Sequence, residues 1–125
     1  MSAVAVEANS GDLERFLEGD TGRPFVLVQL LRFTEGGREL YLKYSVAAQP
    51  IVRSVGAQIL YAGECVAPLA AARGESWDAI VLVRYPSRAA YAQMLSDPAY
   101  PAIAHLRRSA LREAMLLPMD DWPGR

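Results

Sequence analysis

Runs of apolar residues in the chain fall into two periods, and the change from one to the other marks out the elements. Phe25 to Phe33 is apolar except at Gln29 and Arg32, rich in β-branched and aromatic residues and too short for a core helix, so it predicts a strand. Residues 38–55 change period: Tyr41, Tyr44, Ala48, Ile51, Val52 and Val55 recur at spacings of three and four, one stripe of a helix. Pro50 lies inside that stripe and predicts a kink or a split; Gly56 stands where a helix-terminating glycine belongs. Residues 57–66 predict a second strand with Ile59, Tyr61 and Cys65 on one face and Gln58, Leu60, Ala62 and Glu64 on the other. An Ala-, Gly- and Pro-rich tract from Ala67 to Glu75 reads as a hairpin-type connection, and Trp77 to Tyr85 is a third, almost wholly apolar strand. Ser87 offers an N-cap to a helix bearing Tyr91, Met94 and Leu95, which Asp97-Pro98 interrupts. A further helix is expected over roughly Tyr100 to Glu113, with Ile103, Leu106 and Ala110 inward, then a short strand from Ala114 to Met119. Before all of these, Asp12 is read as the N-cap of a short helix with Leu13, Phe16 and Leu17 on one face, stopped by Gly19-Asp20-Thr21-Gly22-Arg23-Pro24.

The order (α)βαββαβ folds most simply as an α+β, ferredoxin-like βαββαβ sandwich with an extra N-terminal helix and an antiparallel sheet. One domain over residues 11–120 is expected, after a flexible lead (1–10) and before a tail (121–125). In this topology the first and third strands are central, and these are the two that are apolar on both faces. Helices cover one face only. The other would leave a patch of several hundred Å² that soluble monomers seldom expose. A second copy is the natural cover, which predicts a sheet-to-sheet homodimer.

Composition narrows the partners. Apolar residues at 52% and charged residues at 22% fit a globular chain rather than a disordered one, and 125 residues suffice for a core without disulfides. A net charge of −1 gives no general attraction to nucleic acid or to an anionic membrane. The third strand lacks the aromatic–glycine pattern of an RNA-recognition sheet, and no stretch is apolar for long enough to span a bilayer. Met1 to Asn9 carries Glu7 and no Lys or Arg, unlike a secretory leader, and a lone cysteine, Cys65, suits a reducing compartment; a cytoplasmic location is expected.

The strand Phe25–Phe33 (FVLVQLLRF), the turn Gly36-Gly37-Arg38-Glu39 followed by Tyr41 and Tyr44, and Pro50 ahead of Gly56 resemble the bacterial family known as domain of unknown function 1330. So do the strand Trp77–Pro86 (WDAIVLVRYP), the step Asp97-Pro98-Ala99-Tyr100 and the arginine-bearing helix after it. The likeness spans roughly residues 12–117 and is spread over many modest matches. It implies the dimeric α/β-barrel fold, a group that also holds cofactor-free monooxygenases, small-ring isomerases and haem enzymes. It implies no chemistry, because fold does not carry function. Gln29 departs from the family pattern, in which a shorter Asn is common.

Several residues are candidates for chemistry. His105 is the single histidine and the first choice for acid–base work, although helical spacing groups it with Arg108, Ser109 and Arg112 on a polar face. With no second histidine and Cys65 at no ligand spacing, no metal site is expected, and no cofactor; haem ligation by His105 is implied only by some relatives of the fold. Gln29, Arg32 and Arg84 are polar groups on apolar central strands and need partners. They are read as lining a small pocket for an anionic or carbonyl-bearing ligand, the plainer alternative being an ion pair of Arg84 with Glu64 or another carboxylate at the dimer contact. Tyr44 lies on the helix stripe facing the sheet and is a second catalytic candidate; Tyr61, Tyr85, Tyr91 and Trp77 are read chiefly as core or interface. Cys65 reads as a small hydrophobe. The chain is therefore expected to bind a small, partly apolar molecule in a helix–sheet pocket, with a cofactor-free monooxygenase- or isomerase-like enzyme and a purely structural dimer as alternatives.

Overall fold

A computed structural model describes residues 6–124; residues 1–5 of the expected lead and Arg125 of the expected tail lie outside the described residues. The elements run α1 (Ser10–Glu18), β1 (Phe25–Phe33), α2 (Gly37–Ser54), β2 (Gln58–Glu64), β3 (Ala79–Tyr85), α3 (Arg88–Leu95), α4 (Pro101–Ala110) and β4 (Leu111–Met119). The strands form one antiparallel sheet in the order β2-β3-β1-β4. This is the ferredoxin-like α+β arrangement that the element order predicts, with β1 and β3 in the centre. Phe25, Leu27 and Leu31 of β1 and Ala79, Val81, Val83 and Tyr85 of β3 are buried beneath the helices. The alternate residues Val26, Val28, Leu30, Ile80 and Leu82 lie on the face that no helix covers and are only half-buried.

Five details differ from the sequence pattern, each for a local reason. Asn9, not Asp12, caps α1: its side-chain oxygen accepts from the Asp12 amide at 2.7 Å, while Asp12 pairs with Arg15 in the first turn. Pro50 neither splits nor ends α2. The carbonyl its ring displaces is that of Val46, a residue 69% exposed, so water can satisfy the freed oxygen. Helix α4 stops at Ala110 rather than Glu113, and β4 begins at once. The Ala110 carbonyl accepts from the Thr34 amide at 2.8 Å, Leu111 is extended, and Arg112-Glu113, good helix formers, go instead to the pairing with β1. Buried on α4 are Ala104, Arg107 and Ala110, with Ile103 and Leu106 only half-buried, because small residues let α4 approach α2 closely. Gly37 is part of the same approach: a Cβ there would stand 2.1 Å from the Ala110 carbonyl oxygen.

The fifth difference changes which face a residue occupies. The register between β2 and β3 shifts after Ile59, so that Ile59 pairs with Val83 but Tyr61 with Leu82. Leu60 and Tyr61 together oppose one residue, a β-bulge. Ile59 therefore stays on the helix side, and Tyr61 moves to the uncovered face, where its ring lies over Gly63. The two residues do not share a face as strict alternation requires.

Candidate functional site

The helices enclose two adjoining spaces on their side of the sheet. Facing the middle of β1, α2 contributes Tyr41 and Tyr44, the N-cap of α4 contributes Tyr100, and α4 itself contributes Arg107; together with Gln29 they surround a chamber of about 90 Å³. A more open hollow of about 340 Å³ lies under α1, walled by Leu13, Phe16, Leu27 and Leu116. Glu7, Ala8 and Tyr91 line both. Leu27 and Gln29 alternate on the same face of β1, so the apolar hollow and the polar chamber follow each other along one strand.

The polar groups of the chamber bond to one another. Tyr44 and Tyr100 share a hydroxyl–hydroxyl bond of 2.9 Å. Arg107 donates to the Gln29 side-chain oxygen at 3.2 Å and to the Val6 carbonyl. Arg107, 6% exposed, is the one charged residue buried among the described residues, and no carboxylate there comes within ion-pair distance of it. Burial drives the pKa of Tyr41 and Tyr44 well above the usual phenol value, with the neighbouring Tyr100 adding to the shift at Tyr44 and Arg107 opposing it at both. At neutral pH these phenols are uncharged and able to donate. The guanidinium thus bonds to an amide and a backbone carbonyl beside buried hydroxyls, and the one carboxylate in the chamber lining, that of Glu7, is half-exposed and lies 4.0 Å from Arg108.

The residues singled out from the sequence divide between the two faces of the sheet. Gln29 and Tyr44 both line the chamber, each bonded to a different neighbour, Gln29 to Arg107 and Tyr44 to Tyr100. Arg32 and Arg84 do not join them, because both take the opposite parity and project to the uncovered face. Arg32 pairs with Glu113, donates to the Ser76 carbonyl at 3.0 Å and lies 3.9 Å over the Trp77 ring. Arg84 pairs with Asp121 at 3.6 Å and borders a separate hollow at the sheet end; of the expected partners, Glu64 or another carboxylate, it is the other one, since Arg38 holds Glu64 at 2.6 Å. His105 is exposed on the outer face of α4, away from the chamber lining. Cys65 is a free, half-buried thiol. Among the described residues no three His, Cys, Asp or Glu side chains gather to hold a metal, and no helix is long and apolar enough to cross a membrane. Arg107 and Tyr100 are the members that sequence reasoning passed over.

Solved structures share this fold. A protein of unknown function from Rhodopseudomonas palustris, RPA0582, superposes with a TM-score of 0.84 at 22% identity, covering 97% of this chain and 98% of that one. A dimeric protein of unknown function with a ferredoxin-like fold from Bacteroides fragilis gives 0.57 at 11% identity, covering 81% and 98%. A protein from Bacteroides thetaiotaomicron described as a candidate antibiotic biosynthesis monooxygenase gives 0.55 at 16% identity, covering 82% and 91%. At these identities the likeness concerns the fold alone. No curated protein matches the chain. The family model of the domain of unknown function DUF1330 matches residues 23–119, from the residue pair before β1 to the last residue of β4, and the chain belongs to that family.

Proposed function

We propose that the protein is a homodimer that binds a small, partly apolar molecule between its helices and its sheet. The observation that carries the binding reading is a pair of neighbouring cavities that share Glu7, Ala8 and Tyr91 in their walls, one mainly apolar and one into which Gln29, Tyr44, Tyr100 and Arg107 bring polar groups. Binding sites combine apolar walls with a few convergent polar groups in this way. The inner chamber alone is below the volume of an ordinary ligand site; with the hollow under α1 the space reaches that range.

The dimer reading is supported by the uncovered sheet face. Val28, Leu30, Ile80 and Leu82 form its half-buried centre, and Tyr61, Met115, Leu117 and Met119, between 38% and 59% exposed, surround it. A patch of this kind is seldom left to water. Only another apolar surface of similar extent covers it at no desolvation penalty, and the related Bacteroides fragilis protein is described as dimeric. The free thiol of Cys65 and the absence of a second cysteine suit a cytoplasmic setting.

Thermal melting of the full chain against a panel of neutral and charged metabolites tests the first part. Compounds filling the pocket raise Tm by mass action, and a panel without effect leaves the purely structural dimer in its place. Sedimentation at micromolar concentration tests the second part, a stable single-chain particle being the result that overturns it.

An enzymatic reading is favoured by one feature, the convergence of neutral tyrosine hydroxyls and a buried guanidinium, which can polarise a carbonyl oxygen. The related Bacteroides thetaiotaomicron protein carries a monooxygenase description. Tyr44, held protonated by burial, would serve there as a donor and not as a base. His105 has no place in that constellation.

A further inference from the structure

We infer that the ligand of the helix–sheet pocket is an amphipathic monocarboxylate, its head seated on Arg107 beside Gln29 and its apolar part in the hollow under α1. The inference rests on the pocket reading above and names the ligand class.

Arg107 makes the argument. A buried guanidinium is costly unless charge or hydrogen bonds compensate it. Two of its five donors go to neutral oxygens, the Val6 carbonyl and the Gln29 amide. Glu7 is the carboxylate that lines both cavities, but it is half-exposed and lies 4.0 Å from Arg108 on the outer side of α4. The chamber therefore holds one buried positive charge with no described carboxylate within ion-pair distance, beside phenols kept neutral by burial. A ligand carboxylate supplies the missing charge and accepts charge-assisted bonds in the forked geometry that guanidinium favours. One cation matches one negative charge, so a carboxylate suits the chamber better than a dianionic phosphate.

Size and direction complete the case. About 90 Å³ is less than the ~150 Å³ cavity that admits a benzene ring, so the chamber takes a head group of a few atoms. The remainder is placed in the hollow walled by Leu13, Phe16, Leu27 and Leu116, which shares Glu7, Ala8 and Tyr91 with the chamber and has the more apolar walls. Gln29 and Leu27 are separated along the strand by roughly 7 Å, the rise of two residues, which a short alkyl chain spans. The Val6 carbonyl now holds one arm of the guanidinium, and a ligand head competes with it for that arm.

Calorimetric titration of the full chain with hexanoate, hexanamide, acetate and hexyl phosphate tests this. Hexanoate is expected to bind at least about tenfold more tightly than hexanamide, as the gain from a charged acceptor, and than acetate, as the gain from the tail. Equal affinity for hexanoate and hexanamide overturns the carboxylate assignment and leaves the pocket intact. Stronger binding of hexyl phosphate than of hexanoate overturns the choice of head group. Failure of all four, together with a silent neutral panel, removes the pocket reading itself. Arg107→Gln is expected to bring hexanoate down to the level of hexanamide; should that variant not fold, the acid-to-amide ratio of the unmodified chain decides alone.

Discussion

Tyr44 on α2 and Tyr100 at the N-cap of α4 meet hydroxyl to hydroxyl at 2.9 Å, both buried, and so tie together two of the helices that roof the chamber. Each satisfies the other, and removing one leaves a buried hydroxyl without that partner. Tyr44→Phe is expected to lower stability by about 1–3 kcal/mol, the usual cost of an orphaned buried polar group. Tyr44→Phe/Tyr100→Phe should cost clearly less than the sum of the single changes, since the double variant orphans nothing. Denaturant unfolding of the four proteins measures the coupling, and simple additivity would show that the bond contributes nothing of its own.

Gly36 and Gly37 are neighbours with different duties. Gly36 has φ +74° and open space around it, so Gly36→Ala meets only backbone strain, about 1 kcal/mol. Gly37, the first residue of α2, lies against the end of α4, and a methyl there collides with the backbone oxygen of Ala110. Gly37→Ala is expected to cost about 2–4 kcal/mol, more than its neighbour, because backbone has to move. Thermal melts of the two variants check the order; a smaller loss at Gly37 would mean that the helices are free to part.

The fold was legible because the first and third strands announce their central position by being apolar on both faces, and because α2 and α3 carry clean stripes and caps. Gln29 and Tyr44 were legible for the same reason: each interrupts or extends a pattern that points toward the helix–sheet space. Arg107 was not. A charged residue on a helix with other arginines is assigned to solvent by default, and the signal that it faces inward is the flanking pair Ala104 and Ala110, small residues that mark a close helix contact. Tyr61 escaped because a bulge leaves no trace in a strand with apolar residues on both sides. The end of α4 escaped because Arg112 and Glu113 have helical propensity, which the pairing of β4 with β1 overrides.

Alkaline titration should expose the tyrosine-lined core. Burial raises the pKa of Tyr41, Tyr44, Tyr85 and Tyr91 above the ordinary 10, that of Tyr91 to about 12. A group whose proton is held more tightly in the folded chain contributes stability that is complete below the unfolded value and is lost as pH rises through the folded one. Stability is therefore expected to be insensitive to these four below about pH 9 and to fall steeply from pH 10 to 12 and beyond. Phenolate absorbance near 295 nm, followed alongside circular dichroism, checks this. Four phenolates forming near pH 10 in a chain that is still folded would contradict the burial.

Leu82 provides the sharpest test of the sheet-to-sheet dimer. It sits on β3, a central strand, between Val28 of β1 and Tyr61 of β2, on the face away from the helices. If water covered this face, Leu82→Lys would be nearly silent, since a long side chain on an open sheet keeps its ammonium hydrated. Covered by a second copy, the same change puts two like charges near the middle of one contact, where neither finds a partner and both must be desolvated. The expected outcome is a shift from dimer to monomer in sedimentation at micromolar concentration, with a fall in Tm. Val28→Lys should behave alike, while Arg38→Ala, at a surface pair with Glu64 on the other side of the sheet, should leave the assembly unchanged. A Leu82→Lys protein that sediments and melts as the parent does would mean that this face has no partner.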